Sequence, residues 1–86
     1  MGISKAANMK YAYACLKLGM PKDDVVKLLG KPDSQRIRNG IETYGWFNSE
    51  FKGFLRGGRI ERRIMVELEN NKVVGFDGEN IGVTVI

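Results

Sequence analysis

Between residues 60 and 69 the chain alternates without a break, and this stretch limits the available folds more than any other. Ile60, Arg62, Ile64, Val66 and Leu68 fall on one side, and Glu61, Arg63, Met65, Glu67 and Glu69 on the other. A period of two is the signature of a β-strand, and one apolar side against one charged side means a sheet covered on a single face. Something else in the chain must supply the covering layer.

The period changes before residue 34. Ile3, Ala7, Tyr11, Ala14, Cys15 and Leu18 recur at helical spacing, which predicts a first helix over about residues 5–18, with Ser4 as N-cap and Gly19 as the left-handed residue after it. A second, short helix follows. Pro21 suits its first turn, Asp23 and Asp24 complement the positive end of its dipole, and Val25, Leu28 and Leu29 make its apolar face. Gly30 ends it and Pro32 prevents it from resuming. At this length the helix is marginal alone and needs a sheet beneath it.

Beyond Ser34 the extended signals accumulate. Residues 35–38 form a strand candidate, Asn39-Gly40 is a strong hairpin turn, and residues 41–47 alternate with Tyr44 and Trp46 on one side. Residues 48–59 read as a long loop. Asn70-Asn71 supplies a second tight turn, residues 72–77 return, and residues 81–86 alternate again as a further edge strand. The expected fold class is α+β: two N-terminal helices packed on one face of an antiparallel sheet of three to four strands, a two-layer sandwich forming a single domain over residues 1–86.

Residue types narrow the chemistry. The 86 residues contain no histidine and one cysteine, Cys15, so an internal disulfide is excluded, as are the commonest general base and a multi-cysteine metal site. Cys15 falls on the apolar stripe and reads as a buried structural thiol. Asp23 and Asp24 point about 100° apart on a helix and cannot converge on one substrate. No nucleophile–base pair or cofactor fingerprint can be assembled, so the expectation is a non-enzyme without cofactor. Lys and Arg number 14 against 10 Asp and Glu. An excess of this size weakly favours acidic partners but falls short of a nucleic-acid signature.

The segment most suggestive of function is residues 48–63. Phe51, Phe54 and Leu55 are interleaved with Lys52, Arg56, Arg59, Arg62 and Arg63, against Glu50 and Glu61. Aromatics and arginine dominate binding hot spots. The expected partner-binding residues are Trp46, Phe51, Lys52, Phe54, Arg56, Arg59, Arg62 and Arg63, with the outer sheet face beside them. Trp46, with Tyr44, can equally fill the helix–sheet core. The same basic and aromatic side chains also suit an anionic ligand, either nucleic acid or acidic lipid head groups. The 81–86 tail either completes the sheet or pairs with another molecule, and a homodimer through the tail or a sheet edge belongs among the expected partners.

The run from Leu18 to Pro32 (LGMPKDDVVKLLGKP) resembles the signature of the SmpA/OmlA family, the BamE-like bacterial outer-membrane assembly lipoproteins. Gly19, Met20, Val25, Leu29, Gly30 and Pro32 match in register, and Tyr44-Gly45-Trp46-Phe47 is similar to the aromatic strand that follows in that family. The resemblance spans about residues 9–79. It implies two helices against an antiparallel sheet, similar to each half of beta-lactamase inhibitor protein. It also implies a protein-binding role in assembly scaffolding or inhibition. The chain departs from the pattern at Pro21, where the family has a capping threonine, and lacks the family's lipidated N-terminal cysteine. Ala12-Tyr13-Ala14-Cys15 is a poor acylation box, because Tyr13 is bulky and no apolar run precedes it. With no leader in these residues the cytoplasm is the expected compartment; a lipoprotein leader ahead of them would make it the periplasm and outer membrane.

Overall fold

The computed structural model describes the backbone of residues 5–52 and 58–81 and the side chains of residues 7–51 and 58–81. Helix α1 spans Lys5–Cys15 and helix α2 spans Lys22–Leu29. Strands β1 (Ser34–Arg38), β2 (Ile41–Lys52), β3 (Gly58–Glu69) and β4 (Lys72–Glu79) follow, paired antiparallel in the order β1-β2-β3-β4. The fold is α+β, with the two helices preceding the sheet as expected. No helix among the described residues is long and apolar enough to cross a membrane.

Both hairpin turns form where their residue types demand it. Asn39 and Gly40 have φ of 52° and 81°, and Asn70 and Asn71 have 54° and 63°, the paired left-handed conformations that asparagine and glycine tolerate best. In β4 one extra residue, Val74, bulges between the pairs Glu67–Gly75 and Leu68–Val73, and its side chain is half exposed.

Met9, Ala12 and Leu16, with Val25 and Leu29 of α2, pack against Tyr44 and Trp46 of β2, Ile64, Val66 and Leu68 of β3, and Val73 of β4. Tyr13, Met20, Leu28, Phe76 and Ile81 line the rim of this core. The buried stripe of α1 is therefore Met9–Ala12–Tyr13–Leu16, not the predicted Ala7–Tyr11–Ala14–Leu18. Tyr11 is 65% exposed, Ala7, Ala14 and Leu18 are also exposed, and Cys15 is half-buried rather than buried. Both stripes satisfy the helical spacing, so packing alone made the choice.

Helix α1 also ends three residues earlier than expected. Leu16 N–H turns back to the Tyr13 carbonyl, and the chain then pairs with the start of β4: Gly19 N–H donates to Val73 O (2.7 Å), Val73 N–H to Met20 O (2.9 Å) and Lys22 N–H to Asn71 O (2.8 Å). These sheet-like bonds displace the last helical turn. Gly19 keeps its left-handed φ of 83°, but in this corner and not as the helix's closing residue. Ser4 lies outside the described residues. Pro21 is the N-cap of α2 and makes no side-chain capping bond, and Gly30 closes the helix at φ 81° with its N–H on Val26 O. Asp23 and Asp24 occupy the first turn as expected.

The largest difference lies further on. Residues 48–52 and 58–59 are not loop: β2 runs on to Lys52, β3 starts at Gly58, and the two pair continuously from Ile41–Glu69 to Lys52–Gly58. Cross-strand pairing satisfies the backbone groups of alternate residues here, which a loop would leave to water. Since β1 reaches only Gly45 and β4 only Arg63, the far half of this hairpin extends beyond its neighbours as a two-stranded ribbon. The proposed strand over 81–86 falls, beyond Ile81, outside the described residues.

Candidate functional site

Strand parity assigns every side chain of the ribbon to a face. Tyr44, Trp46, Asn48 and Glu50 of β2 oppose Val66, Ile64, Arg62 and Ile60 of β3 on the helix side. Phe47, Ser49 and Phe51 oppose Arg63, Glu61 and Arg59 on the outer side.

Among the residues expected to bind a partner, the outer side brings together Phe51, Arg59 and Arg63. Phe51 is 64% exposed, and Arg59 and Arg63 are exposed. Arg63 forms an ion pair with Glu79 of β4. Phe54 and Arg56, and the side chain of Lys52, lie outside the described residues.

Trp46 and Arg62 point the other way, which corrects the expectation for both. Trp46 is 2% exposed in the core, in edge-to-face contact with Tyr44 (centroids 6.1 Å apart), and its Nε1–H donates to the Gly30 carbonyl at 3.0 Å. Arg62 is 3% exposed and donates to Asn48 Oδ1 at 2.9 Å and to Glu50 Oε1 at 2.6 Å. A buried guanidinium with these partners is a structural element of the ribbon and is not presented to solvent.

Phe47 joins the outer surface although residue type alone did not single it out. It is 41% exposed and sits on the same side as Phe51. Gly45 lets it lie close: a Cβ there would stand 2.6 Å from Ser34 Oγ, 2.9 Å from Met65 Sδ and 3.0 Å from Phe47 Cζ. The strip Met65–Phe47–Phe51 is the apolar track of the outer face. The signal in the sequence was the i, i+4 spacing of the two phenylalanines, meaningful only once both lie on one strand.

The outer face is concave here. A cavity of about 560 Å³ lies between Asp33 and Phe47 on one side and Arg63 and Glu79 on the other, over Ser49 and Glu61. Its rims are fixed by two side chains that extend the sheet by one rung. Asp33 Oδ2 accepts the Phe47 N–H at 2.8 Å just beyond β1, and Asn80 Nδ2 donates to the Glu61 carbonyl at 2.8 Å just beyond β4. Among the described residues no three His, Cys, Asp or Glu side chains converge to hold a metal ion.

A separate charged cluster caps the core near α2. Tyr44 OH donates to Glu42 Oε2 at 3.0 Å, and Lys22 Nζ stands 3.4 Å from the same oxygen and 5.3 Å from the Tyr44 ring centre. The Tyr44 side chain, and after it the Glu42 carboxylate, hold the Lys22 ammonium above its ordinary pKa of 10.5, against opposing desolvation. This group pins α2 to β2 and is not part of the outer surface.

No protein-family model matches the chain, and no curated protein matches it.

Proposed function

We propose that this chain is a non-catalytic protein–protein interaction module, related to the bacterial SmpA/OmlA domains, that presents the outer face of the β2–β3 ribbon to a partner protein. The observation that carries the reading is the pair of exposed aromatics, Phe47 and Phe51, on the same outer face as Arg59 and Arg63. Exposed apolar surface bordered by polar side chains marks interaction sites, and Phe and Arg are enriched within them. The family resemblance lends support through the geometry of its motif: left-handed Gly19 and Gly30 bracket a short α2 whose Val25 and Leu29 enter the core. Assembly scaffolding and protein inhibition are the roles this resemblance suggests.

The anionic-ligand reading draws less support. Arg62 is buried on Glu50 and Asn48, and Arg63 is paired with Glu79, which leaves Arg59 as the exposed cation of the described ribbon without an ion pair.

The test is capture from a bacterial lysate with the native chain and with a Phe51→Ala, Arg59→Ala variant. The expected result is one protein retained by the native chain and lost by the variant, with thermal unfolding of the two chains within a few degrees. Loss of folding together with binding would overturn the assignment. Capture of nucleic acid or acidic vesicles that collapses as salt rises would transfer the function to the anionic reading.

A further inference from the structure

We infer that the open edge of β2 from Phe47 to Phe51 receives an extended segment of a partner protein by strand addition. This mode rests on the interaction reading above and gives it a geometry.

Backbone direction alternates along an antiparallel strand. Gly45 C=O and Phe47 N–H both point to the β1 side, where they meet Asp33 N–H (2.8 Å) and Asp33 Oδ2 (2.8 Å). Ser49 and Phe51 continue the same series, so their N–H and C=O groups face the same side. There β1 has already ended, and no described residue pairs with them.

Parts of the other edges are closed or blunted. β1 is five residues long and carries Arg36 and Arg38. The start of β4 is occupied by the bonds from Gly19, Met20 and Lys22, and Glu61 C=O of β3 is taken by Asn80. Exposed strand edges pair readily with other chains, which is why folds so often blunt them. Here the blunting stops at Phe47.

The shape of the slot defines its occupant. An added strand of roughly five residues fills it. Its outward side chains would lie beside Phe47, Ser49 and Phe51, and its inward ones beside Asn48 and Glu50, so the matching segment alternates apolar with polar residues. A second copy of this chain fits poorly. Antiparallel self-pairing about Ser49 sets each Phe47 opposite the other copy's Phe51, and the Phe47 N–H is already held by Asp33 Oδ2, so both flanking rungs lose a bond.

The experiment is selection of a phage-displayed peptide library on the intact chain, followed by synthesis of the enriched peptides and affinity measurement. Strand addition predicts enriched sequences alternating apolar and polar residues. N-methylation along the peptide should weaken binding more than tenfold at every second residue and little between. Ser49→Pro, which removes an edge N–H that the β2–β3 ladder does not use, should abolish binding. Should that variant fail to fold, the methylation scan on the native chain decides alone.

A scan without a period of two would overturn the inference. So would peptides that tolerate Ser49→Pro yet are lost with Phe51→Ala, Arg59→Ala, a result that leaves the interaction reading standing. Failure of any peptide to enrich overturns strand addition as well. A concentration-dependent dimer dispersed by Ser49→Pro would give the slot to a second copy and overturn the partner proposed here.

Discussion

Trp46 joins the two layers of the molecule: its indole N–H, projecting from the middle of β2, donates to the carbonyl of Gly30 where α2 ends. The ring is buried against Tyr44, so the donor end of the bond is shielded from water even though Gly30 is exposed. One side chain thereby fills the core and satisfies a carbonyl at a helix terminus. Trp46→Phe keeps most of the apolar volume and leaves the Gly30 carbonyl without this donor. The expected cost is about 1–3 kcal/mol. For a domain of this size each kcal/mol lowers the melting temperature by roughly 4–8 °C, measurable by calorimetry.

The buried face of α1 can be tested by a contrasting pair. Met9→Ala removes a core side chain and should cost about 2–5 kcal/mol in urea unfolding. Tyr11→Ser lies on the exposed stripe and should change stability by less than about 0.5 kcal/mol. The opposite ranking would restore the stripe read from spacing alone.

Gly78 lies beneath the Tyr13 ring. A Cβ at that position would stand 2.6 Å from Tyr13 Cε1 and 2.8 Å from Cζ, and Tyr13 is also in edge contact with Phe76 at 5.8 Å. A ring held between two elements cannot yield cheaply, so Gly78→Ala is expected to cost about 1–3 kcal/mol. In a Tyr13→Ala background the same substitution should cost much less, because only the 3.0 Å approach to Ile81 Cγ1 remains. A double-mutant cycle measures this coupling.

Lys22 predicts an alkaline effect. Its pKa is raised in the fold by Tyr44 and Glu42, so its stabilising contribution is fully present below the unfolded value near 10.5 and is lost as pH rises through the higher folded value. Between pH 9 and pH 12 the native chain should lose stability more steeply than Lys22→Met, as followed by urea midpoints. Parallel curves would remove Lys22 from the account.

The residues of the proposed surface were partly legible before the fold. Phe51, Arg59 and Arg63 lie outward as the residue types suggested, whereas Trp46 and Arg62 turn inward. The two-residue period already set Trp46 with Tyr44 and Arg62 with Ile60 and Ile64, and hot-spot residue type was wrongly allowed to outweigh it. Treating residues 48–52 and 58–59 as loop hid that Phe51 continues the side of Phe47, and Arg59 that of Arg63.

The sequence by itself determined the order of elements, the two asparagine-containing hairpin turns, the limits of α2 and the one-sided character of β3. Each of these rests on local physics: backbone conformations that Gly and Asn tolerate, a proline that cannot continue a helix, and a two-residue period. Only the tertiary structure decided which stripe of α1 is buried, where that helix stops and how far β2 and β3 extend. Helix α1 offers two stripes of equal spacing, and its last turn competes with backbone bonds to Val73 and Asn71, more than fifty residues further along the chain. The ribbon beyond Phe47 exists because each strand satisfies alternate backbone groups of the other, and neither segment could declare that pairing alone.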